Sequence, residues 1–386
     1  MIVITIYSLN NGGFEKSLFR FVNYLLNNKY DVKLIVTESK GEMYNDFNQL
    51  SLLNLSFIDN KVIKLYKLLK NKSITNIFNF CEKYTQAIIP FLPKKIKITS
   101  VIRTSDQYFI NLMTSNDNYI NNYICNSPQL KKNIKKKTIK KVYLIPNGIE
   151  LVDNKRLNDN KPSLNFFSIL FVGRFSREKG IDKLIDLATR LKFNNYNFKI
   201  NIVGDGDLKN EIINEIHEKK LNSVVNILGY KKGDDLYNLY KENHFLFFSS
   251  IGEGLPNVLI ESQYFGCVPI SNLLEDITDF IILKNYTGII LEKNNKSYFD
   301  EIINCIENDK WQIYSQNGQN WIKTSFSNEI EEKKYLALLN DSKINLDSLK
   351  KRNIIYSIIN FFKIIGFRYF IPKTIKKIRR IIINKQ

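Results

Sequence analysis

Short apolar runs alternate with helix-like stretches along almost the whole sequence, and this alternation limits the possible folds more than any other feature. The chain opens with IVITIYSL and the turn NNGG, and the next stretch carries Phe14, Leu18, Phe21, Val22 and Leu25 at a helical spacing. Further apolar runs follow: VKLIVTE, ITNIFNF, IKITSVI, NYICN and KVYLIPNG. The pattern indicates a parallel sheet with helices on both faces.

The same pattern restarts after a polar segment. Residues 153–165, DNKRLNDNKPSLN, contain a proline and have no periodicity, so we interpret them as a linker. The strands FSILFVGR, FKINIVGDG, VVNILGY and HFLFFSS come next, with helices predicted from Ile181, Leu208 and Asp234. At 386 residues the chain is long enough for two cores. We therefore predict two Rossmann-like α/β domains, whose ligands would lie at the carboxyl ends of the strands, in a cleft between them.

The formal net charge of +19 is concentrated in two stretches. Residues 131–141, KKNIKKKTIKK, contain seven lysines, and residues 350–386 contain eleven Lys or Arg; neither stretch contains an acid. The rest of the chain sums to +1. Neither stretch belongs to a recognisable nucleic-acid-binding module, so we predict no nucleic-acid partner.

The basic C-terminal stretch mixes its cations with aromatic and aliphatic residues. This composition favours a helix lying on a membrane surface, with its apolar side toward the lipid and its cations toward anionic headgroups. A tail packed on the protein with a basic solvated face is the alternative. No window of the sequence has the roughly 18 uncharged apolar residues that a membrane span requires.

Cysteine and histidine chemistry is not indicated. The four cysteines and two histidines are scattered along the sequence, and the cysteines lack CxxC spacing: Cys81, Cys125, Cys267, Cys305, His217 and His244. Neither a zinc site nor a disulfide framework is predicted, and a reducing cytoplasm fits best. The first nine residues lack a basic region, so they are interpreted as a strand and not as a signal peptide.

Two loops carry candidate anion-binding groups. Gly12 and Gly13 follow the first strand and precede a helix, where backbone N–H groups can approach an anionic ligand; a tight strand-to-helix turn is the alternative. In FVGRFSREKG, Arg174 and Lys179 follow a buried strand and could neutralise a diphosphate leaving group, or they are solvated loop cations.

The segment GDGD at 204–207 contains the letters DxD, which bind a metal in other architectures. Here it stands between a strand and a helix predicted from Leu208, so we interpret Asp207 as the N-cap and predict no metal.

The segment EGLPNVLIESQYFG places two carboxylates eight residues apart in an apolar run. Pro256 suits the first turn of a short helix and Gly266 its end. The N–H groups around Gly254 would then form an anion site, and Glu261, further along the helix, could accept two hydroxyl hydrogen bonds from a ribose. A solvent-facing Glu261 is the alternative, although an unpaired buried carboxylate is costly.

Together and in this order, these motifs resemble the retaining glycosyltransferases of family 4, which have the GT-B fold of two facing Rossmann-like domains. The resemblance covers roughly residues 1–335 and includes GGFEKS, IPNGIE, VGRFSREKG, IVGDGD, ILGY and the E-x7-E signature from Glu253 to Glu261 followed by GCVPI.

The resemblance implies an acceptor-side domain and a domain that binds a nucleotide sugar. The implied divisions are an acceptor-side domain at 1–152, a linker at 153–165, a nucleotide-sugar domain at 166–325, a helix returning toward the first domain at 326–349 and a membrane-associating tail at 350–386.

The same resemblance implies the roles of individual residues. Arg174 and Lys179 would bind the diphosphate, Glu253 the hydroxyls of the transferred sugar, and Glu261 the ribose. The implied donor-binding set is completed by Gly12, Gly13, Asn147, Gly173, Tyr230, Gly254, Leu255, Pro256 and Asn257. No metal or other cofactor is implied, because positive charge and a helix dipole would stabilise the leaving group.

The chain departs from the family pattern at one place. Many relatives carry a histidine on the acceptor side after a strand like ITSVI, whereas this chain has RTSDQ. Arg103, Ser105 or Asp106 would contact the donor sugar or the acceptor instead.

We accordingly predict a cytoplasmic enzyme on the inner face of a bacterial plasma membrane that moves a sugar, expected to come from a UDP-sugar, onto a saccharide or lipid-linked acceptor. Anionic membrane would be contacted through the C-terminal tail and the Lys131–Lys141 stretch. Two rival functions are a UDP-sugar 2-epimerase on the same fold, which would rely on carboxylates and histidines in the cleft for proton abstraction, and a non-catalytic nucleotide-sugar-binding protein.

Overall fold

The computed structural model describes residues 1–10, 12–47, 50–55, 61–151, 165–292, 297–340 and 354–365. Their contacts divide the chain into two compact units. Unit 1 contains residues 1–125 and 131–144 together with the described residues from 337 on, and unit 2 contains 126–130 and 145–336. The predicted linker lies, except for Asn165, outside the described residues, and the domain boundaries given above stay predictions.

Unit 1 is built on a parallel sheet with the strand order β3-β2-β1-β4-β5-β6-β7. Its elements, in chain order, are β1 Ile2–Ser8, α1 Gly13–Asn27, β2 Val32–Ser39, β3 Ser51–Asn54, α2 Lys61–Leu69, β4 Asn76–Phe80, α3 Lys83–Ile88, β5 Lys97–Val101, α4 Gln107–Thr114, β6 Asn122–Cys125, α5 Pro128–Lys135 and β7 Lys141–Leu144. The six apolar runs that predicted strands are confirmed. The seventh strand, β3, was not predicted, because its short SLLN sequence is only half-buried.

Unit 2 is built on a second parallel sheet, with the order β10-β9-β8-β11-β12-β13. Its elements are β8 Phe167–Val172, α6 Ile181–Phe193, β9 Phe198–Val203, α7 Lys209–Glu218, β10 Val225–Gly229, α8 Asp234–Glu242, β11 Phe245–Phe248, α9 Asn257–Tyr264, β12 Val268–Asn272, α10 Thr278–Ile281, β13 Ile289–Leu291, α11 Tyr298–Glu307, α12 Lys310–Ser325 and α13 Asn328–Asn340, of which the last four residues group with unit 1.

Helices cover both faces of the unit 2 sheet, as the alternation predicted. Successive residues of β8 enter different cores, since side chains alternate across a strand. Ile169 packs in a cluster with Leu184 of α6, whereas Leu170 packs in a second cluster with Leu259 of α9. These near-continuous apolar strands are typical of parallel sheets buried on both sides.

A last helix, α14 Ile354–Ile365, packs against α3 of unit 1. Two of its polar side chains are buried there: Asn360 donates to Oδ1 of Asn116 at 2.7 Å, and the hydroxyls of Ser357 and Tyr119 lie 2.8 Å apart. Buried polar groups with protein partners therefore fix one face of this helix on unit 1, as the alternative of a tail packed on the protein describes, and membrane contact by the tail stays a prediction. Residues 350–353 and 366–386 lie outside the described residues. None of the described helices has the length and apolarity needed to cross a membrane.

Candidate active site

The strand order of unit 2 reverses between β8 and β11, which are neighbours in the sheet although five of the elements named above separate them along the chain. Ligands of open parallel sheets bind outside the carboxyl ends of the strands at such a reversal. The loops that leave these two strands contain Arg174, Lys179 and Glu253. The sheet topology thus brings together, within one unit, the residues that sequence analysis assigned to the leaving group and the transferred sugar.

The loop after β8 is held in one conformation by its glycine. Gly180 has a φ of 62°, and a Cβ at this position would lie 2.6 Å from Oγ of Ser249. That hydroxyl donates to the carbonyls of Lys179 and Gly180, and the N–H of Ile251 donates to the carbonyl of Glu178. The loops after β8 and β11 are therefore tied together directly. Helix α6 begins immediately afterward, at Ile181.

Lys179 and Glu253 form an ion pair and a hydrogen bond in which the Lys179 ammonium donates to Oε1 of Glu253. Their side chains are 30% and 16% exposed, so both are within reach of a ligand from solvent. A Cβ on Gly173 would lie 3.9 Å from Cδ of Lys179, so the lysine stem runs beside that glycine. Arg174 is exposed at the same loop. The pair places one cation and one carboxylate side by side at the strand ends.

Helix α9 begins at Asn257, one residue after the predicted start, with Pro256 at the N-cap and no side-chain hydrogen bond capping it. Leu255 and Pro256 are buried, and Gly254 is half-buried. Asn147 is 4% exposed and donates through Nδ2 to Oδ1 of Asn257 at 2.6 Å. The IPNG segment is thus anchored to the first residue of the helix whose N-terminal N–H groups form the predicted anion site.

Glu261 lies four residues after the start of α9, about 6 Å along the helix axis. It is half-buried and accepts a hydrogen bond from the Tyr240 hydroxyl at 3.0 Å. Burial, followed by the charge of Glu261, raises the pKa of Tyr240 well above its usual value, so this phenol stays a donor. The alternative of a solvent-facing glutamate is wrong; the carboxylate has a defined partner and keeps acceptor capacity for a further hydroxyl.

The GDGD segment is a connection that packs against the loop after β8. Phe175 donates its N–H to the Asp205 carbonyl, and a Cβ on Gly204, which has a φ of 143°, would lie 1.9 Å from the Gly173 carbonyl oxygen. Asp207 is not the N-cap: α7 begins at Lys209 with Leu208 at the cap, because the N–H of Leu208 is directed to the Phe175 carbonyl.

The acidic groups of this segment have a local partner. Asp205 pairs with Lys209 at 2.9 Å, and that hydrogen bond holds the pKa of Asp205 below its ordinary value. Across the described residues, no three His, Cys, Asp or Glu side chains cluster as a metal site would require. That the protein works without a metal stays a prediction.

Tyr230, the residue predicted near the nucleotide base, follows the end of β10 and is 61% exposed. Gly229 before it has a φ of 70°. The carbonyl of Gly229 accepts from the N–H of Gly204, so the residue after β9 is hydrogen-bonded to the last residue of β10 next to Tyr230. Its role in binding a base stays a prediction.

Unit 1 has a pocket at its own point of strand reversal, between β1 and β4. The pocket has a volume of about 410 Å³ and is lined by the ends of these strands and by α1, α3 and α4. The lining residues are Ile6, Tyr7, Ser8, Phe14, Glu15, Phe80, Cys81, Lys83, Arg103, Thr104, Tyr108, Phe109 and Leu112. Arg103 is the one lining residue that the sequence motifs predicted as a site residue.

Arg103 is 7% exposed and lies in this pocket, whereas the two other acceptor-side candidates do not line it. Ser105 is exposed. Asp106 is the N-cap of α4, where its carboxylate accepts from the N–H of Tyr108 at 2.8 Å. Its contact is therefore structural, and the predicted roles of all three residues at an acceptor stay predictions.

Gly12 is the N-cap of α1 and Gly13 its first residue. The carboxylate of Glu15 lies over this end, since a Cβ on Gly12 would be 2.6 Å from Oε2 of Glu15. Burial raises the pKa of Glu15 above its ordinary value. The helix end thus already faces a carboxylate of the same unit, and a phosphate contact by Gly12 or Gly13 stays a prediction.

Neither histidine takes part in these sites. His244 is fully buried, its Nδ1 lies 3.0 Å from the Ser168 hydroxyl, and its carbonyl accepts from the indole of Trp311. His217 is in the last turn of α7. The four cysteines are free thiols, and burial raises the pKa of Cys81 to about 12.

Comparison with known proteins finds similarity to glycosyltransferases. Residues 154–324 match the family model described as "Glycosyl transferases group 1". The chain is 30% identical over 219 residues to an uncharacterized glycosyltransferase of Methanocaldococcus jannaschii, covering 56% of this chain and 58% of that one. It is 27% identical over 342 residues to the N-acetylgalactosamine-N,N'-diacetylbacillosaminyl-diphospho-undecaprenol 4-alpha-N-acetylgalactosaminyltransferase of Campylobacter jejuni, covering 80% of this chain and 90% of that one.

Among solved structures, the Anabaena protein HepE in complex with UDP matches with a TM-score of 0.73 at 15% identity, over 88% of this chain and 99% of that chain. At this identity the match concerns the fold. Residues 154–324 of the chain are thus similar to the glycosyl transferases group 1, and the chain has the two Rossmann-like units of the GT-B fold.

Proposed function

We propose that the chain is a glycosyltransferase of family 4 that moves a sugar from a UDP-sugar to a saccharide or lipid-linked acceptor with retention of configuration. The observation that carries the proposal is the Lys179–Glu253 pair at the strand reversal of unit 2, next in sequence to the N-terminus of α9. A diphosphate needs cations and N–H donors, and a sugar needs hydroxyl acceptors. This site offers both kinds of group within one loop cluster.

In the proposed reaction the bond between the anomeric carbon and the diphosphate oxygen breaks, and the acceptor oxygen forms a bond to the same face of that carbon. The acceptor proton passes to a phosphate oxygen. Lys179 and Arg174 stabilise the negative charge that develops on the leaving group, which is the kind of stabilisation that contributes most to many enzymatic rates. Glu253 orients the sugar hydroxyls, and Glu261 with Tyr240 behind it orients the ribose.

The acceptor is proposed to be a growing lipid-linked saccharide in bacterial surface polysaccharide assembly, such as O-antigen, capsule or lipopolysaccharide. Support comes from the name of the Campylobacter relative, which describes a diphospho-undecaprenol acceptor. It also comes from the unit 1 pocket, where the exposed rings of Tyr7 and Tyr108 accompany Arg103 and Lys83. Aromatic faces suit sugar rings, and cations suit phosphate.

For such an acceptor we propose a peripheral location on the inner face of the plasma membrane. Its support is the basic charge of residues 131–141 and of 366–386, which together hold fourteen Lys or Arg and no acid. Because α14 packs on unit 1, a deletion test should remove only residues 366–386 and leave that helix in place. We expect the shortened protein to sediment less with anionic vesicles than the full chain; equal sedimentation would contradict a role for the tail.

The rival epimerase chemistry has less support. It relies on proton-abstracting groups such as histidine near the sugar, whereas His244 is buried against Ser168 and Trp311 and His217 is exposed in the last turn of α7. A pure binding protein would not need the whole leaving-group set of Arg174, Lys179, Glu253 and Glu261.

The decisive experiment is a panel of nucleotide sugars incubated with the purified chain and a lipid-linked saccharide acceptor. We expect one UDP-sugar to be consumed with formation of an α-linked product from an α-linked donor, read by the anomeric coupling in NMR spectra. A β-linked product would contradict retention, and release of a free 2-epimer would support the epimerase.

A further inference from the structure

We propose that a groove between α2 and α14 of unit 1 binds the acyl chain of an anionic phospholipid and so fixes the enzyme on the membrane. The groove has a volume of about 470 Å³ and is lined by Val62, Ile63, Tyr66, Ile88, Phe91, Ile358, Phe361 and Phe362. Every lining side chain is aliphatic or aromatic. The inference deepens the proposed membrane location, on which its biological purpose rests, and moves the contact from a free tail to a built surface.

The groove lies between α2 and α14, which are neighbours on unit 1. Both helices pack on α3, so a channel is left between them. Phe361 meets Phe91 edge-to-face with ring centroids 6.1 Å apart, and the buried Asn360 fixes the rotation of α14 through Asn116. The walls are therefore held by specific contacts. Ile63 remains 42% exposed at the groove, so its side chain is accessible to a ligand.

The side chains that line the groove indicate what kind of ligand it binds. Binding sites for sugars and nucleotides carry convergent polar groups that fix their ligands. This groove offers hydrocarbon contacts along its length, with the Tyr66 phenol as the one polar atom among the lining side chains. It suits a hydrocarbon chain.

The charges beside the groove select the headgroup. Residues 61–72 contain five lysines and no acid. Lys67 follows Ile63 by one helical turn and Lys70 follows Tyr66 by one turn, so both cations flank the groove-lining face of α2. The Lys70 ammonium lies 5.5 Å from the centre of the Tyr66 ring. Both lysines are exposed, and Lys363 adds an exposed cation on α14. A hydrocarbon groove beside cations fits an anionic lipid whose phosphate stays at the surface.

The first test uses vesicles and two charge variants of the full chain. Lys67→Glu with Lys70→Glu should weaken binding to phosphatidylglycerol vesicles by at least about 25-fold, because each lysine near such a surface contributes a factor of about five. The control, Lys192→Glu with Lys199→Glu, changes the net charge equally at exposed positions of unit 2 and should bind nearly as the parent does.

The second test separates the groove from the charges. Ile63→Asp should weaken vesicle binding about tenfold or more and abolish photocrosslinking by phosphatidylglycerol carrying a diazirine in its acyl chain. In the parent protein the crosslinks should map to peptides from α2 and α14. The control is Ile213→Asp, since Ile213 of unit 2 is 43% exposed and the charge change is the same.

Three results would overturn the proposal. The first is acyl crosslinks that map outside α2 and α14, and the second is equally tight vesicle binding by Ile63→Asp and Ile213→Asp. The third is a parent chain that does not bind anionic vesicles and instead binds an acidic amphipathic peptide in the groove. All variants should keep the parental rate of UDP-sugar hydrolysis in detergent-free buffer. A loss of lipid binding alone therefore leaves the donor-site proposal intact, and a failed donor site leaves the lipid result readable.

Discussion

Lys179 is the residue on which the chemistry of the donor site depends most. Its ammonium bonds to Glu253 in the described site, so a bound diphosphate would compete with that carboxylate for the same cation. The arrangement keeps a partly buried lysine satisfied before substrate arrives.

Replacing Lys179 by alanine should lower kcat for sugar transfer by about 100- to 1,000-fold, the usual cost of removing one group that stabilises developing negative charge. The exposed Lys183, one helical turn later, is the matched control, and Lys183→Ala should retain parental turnover. Thermal melts should show both variants folded. Near-normal turnover in Lys179→Ala would refute the leaving-group assignment.

Glu82 predicts a pH dependence of stability. It is fully buried, and burial raises its pKa above the ordinary value of 4.5, although it accepts bonds from the N–H groups of Tyr84 and Thr85. A raised pKa means that the folded chain holds this proton more tightly than the unfolded chain. The contribution to the unfolding free energy is therefore full below pH 4.5 and is lost as the pH rises through the folded pKa.

Glu82→Gln removes that titration while keeping an amide oxygen as acceptor. We expect urea unfolding between pH 5 and 8 to show a steeper loss of stability with rising pH in the parent than in the variant. Identical slopes would show that Glu82 ionises in the folded protein as it does in the unfolded chain.

At the scale of elements, the loops at the strand reversal are fixed by glycine geometry. Gly180→Ala would place a Cβ 2.6 Å from the Ser249 hydroxyl at a φ of 62°, so it should destabilise unit 2 by about 1–3 kcal/mol and weaken donor binding. Gly252→Ala is the control for stability, because no atom lies within 4 Å of its built Cβ. Equal melting temperatures for the two variants would contradict the tight link between the two loops.

The strands and the helix of the E-x7-E segment were predictable because their signals are local. The apolar runs, Pro256 and Gly266 specify α9 to within one residue. The partner of Glu261 was not predictable, since Tyr240 comes from another helix and meets it only through the fold. Asp207 was wrongly predicted as the N-cap of α7. The N–H of Leu208 donates to the carbonyl of Phe175, which is distant in sequence, so the cap is Leu208, one residue later than predicted.

The C-terminal helix shows the same limit. In the sequence, Ser357 and Asn360 look like interruptions of an amphipathic membrane helix. In the fold they are the anchors that hold α14 on unit 1. The composition of the C-terminal segment correctly indicated its apolar and basic character. It could not distinguish a helix that lies on lipid from a helix that packs on the protein and lines one side of a groove.

At the scale of the whole molecule, the two units share one feature of sheet topology. Both sheets reverse their strand order once, and at each reversal lie loops with charged and aromatic side chains. Unit 2 carries the set that suits a nucleotide sugar, and unit 1 carries a pocket that suits a saccharide with a phosphate. The proposal that unit 2 binds the donor and unit 1 the acceptor rests on these residues and on the similarity of residues 154–324 to the glycosyl transferases group 1.

The central claim is that unit 2 binds the donor through α9 and the Lys179–Glu253 pair. The most direct measurement is the thermal unfolding of the full chain with and without UDP, for the parent and for Glu261→Ala. Saturating UDP at 100 times its dissociation constant should stabilise the parent by about 2.7 kcal/mol. The variant should unfold at a somewhat lower temperature than the parent without ligand, because the buried Tyr240 hydroxyl loses this acceptor, and it should gain far less from UDP. An equal gain in both proteins, or no gain in the parent from any nucleoside diphosphate, would contradict the account.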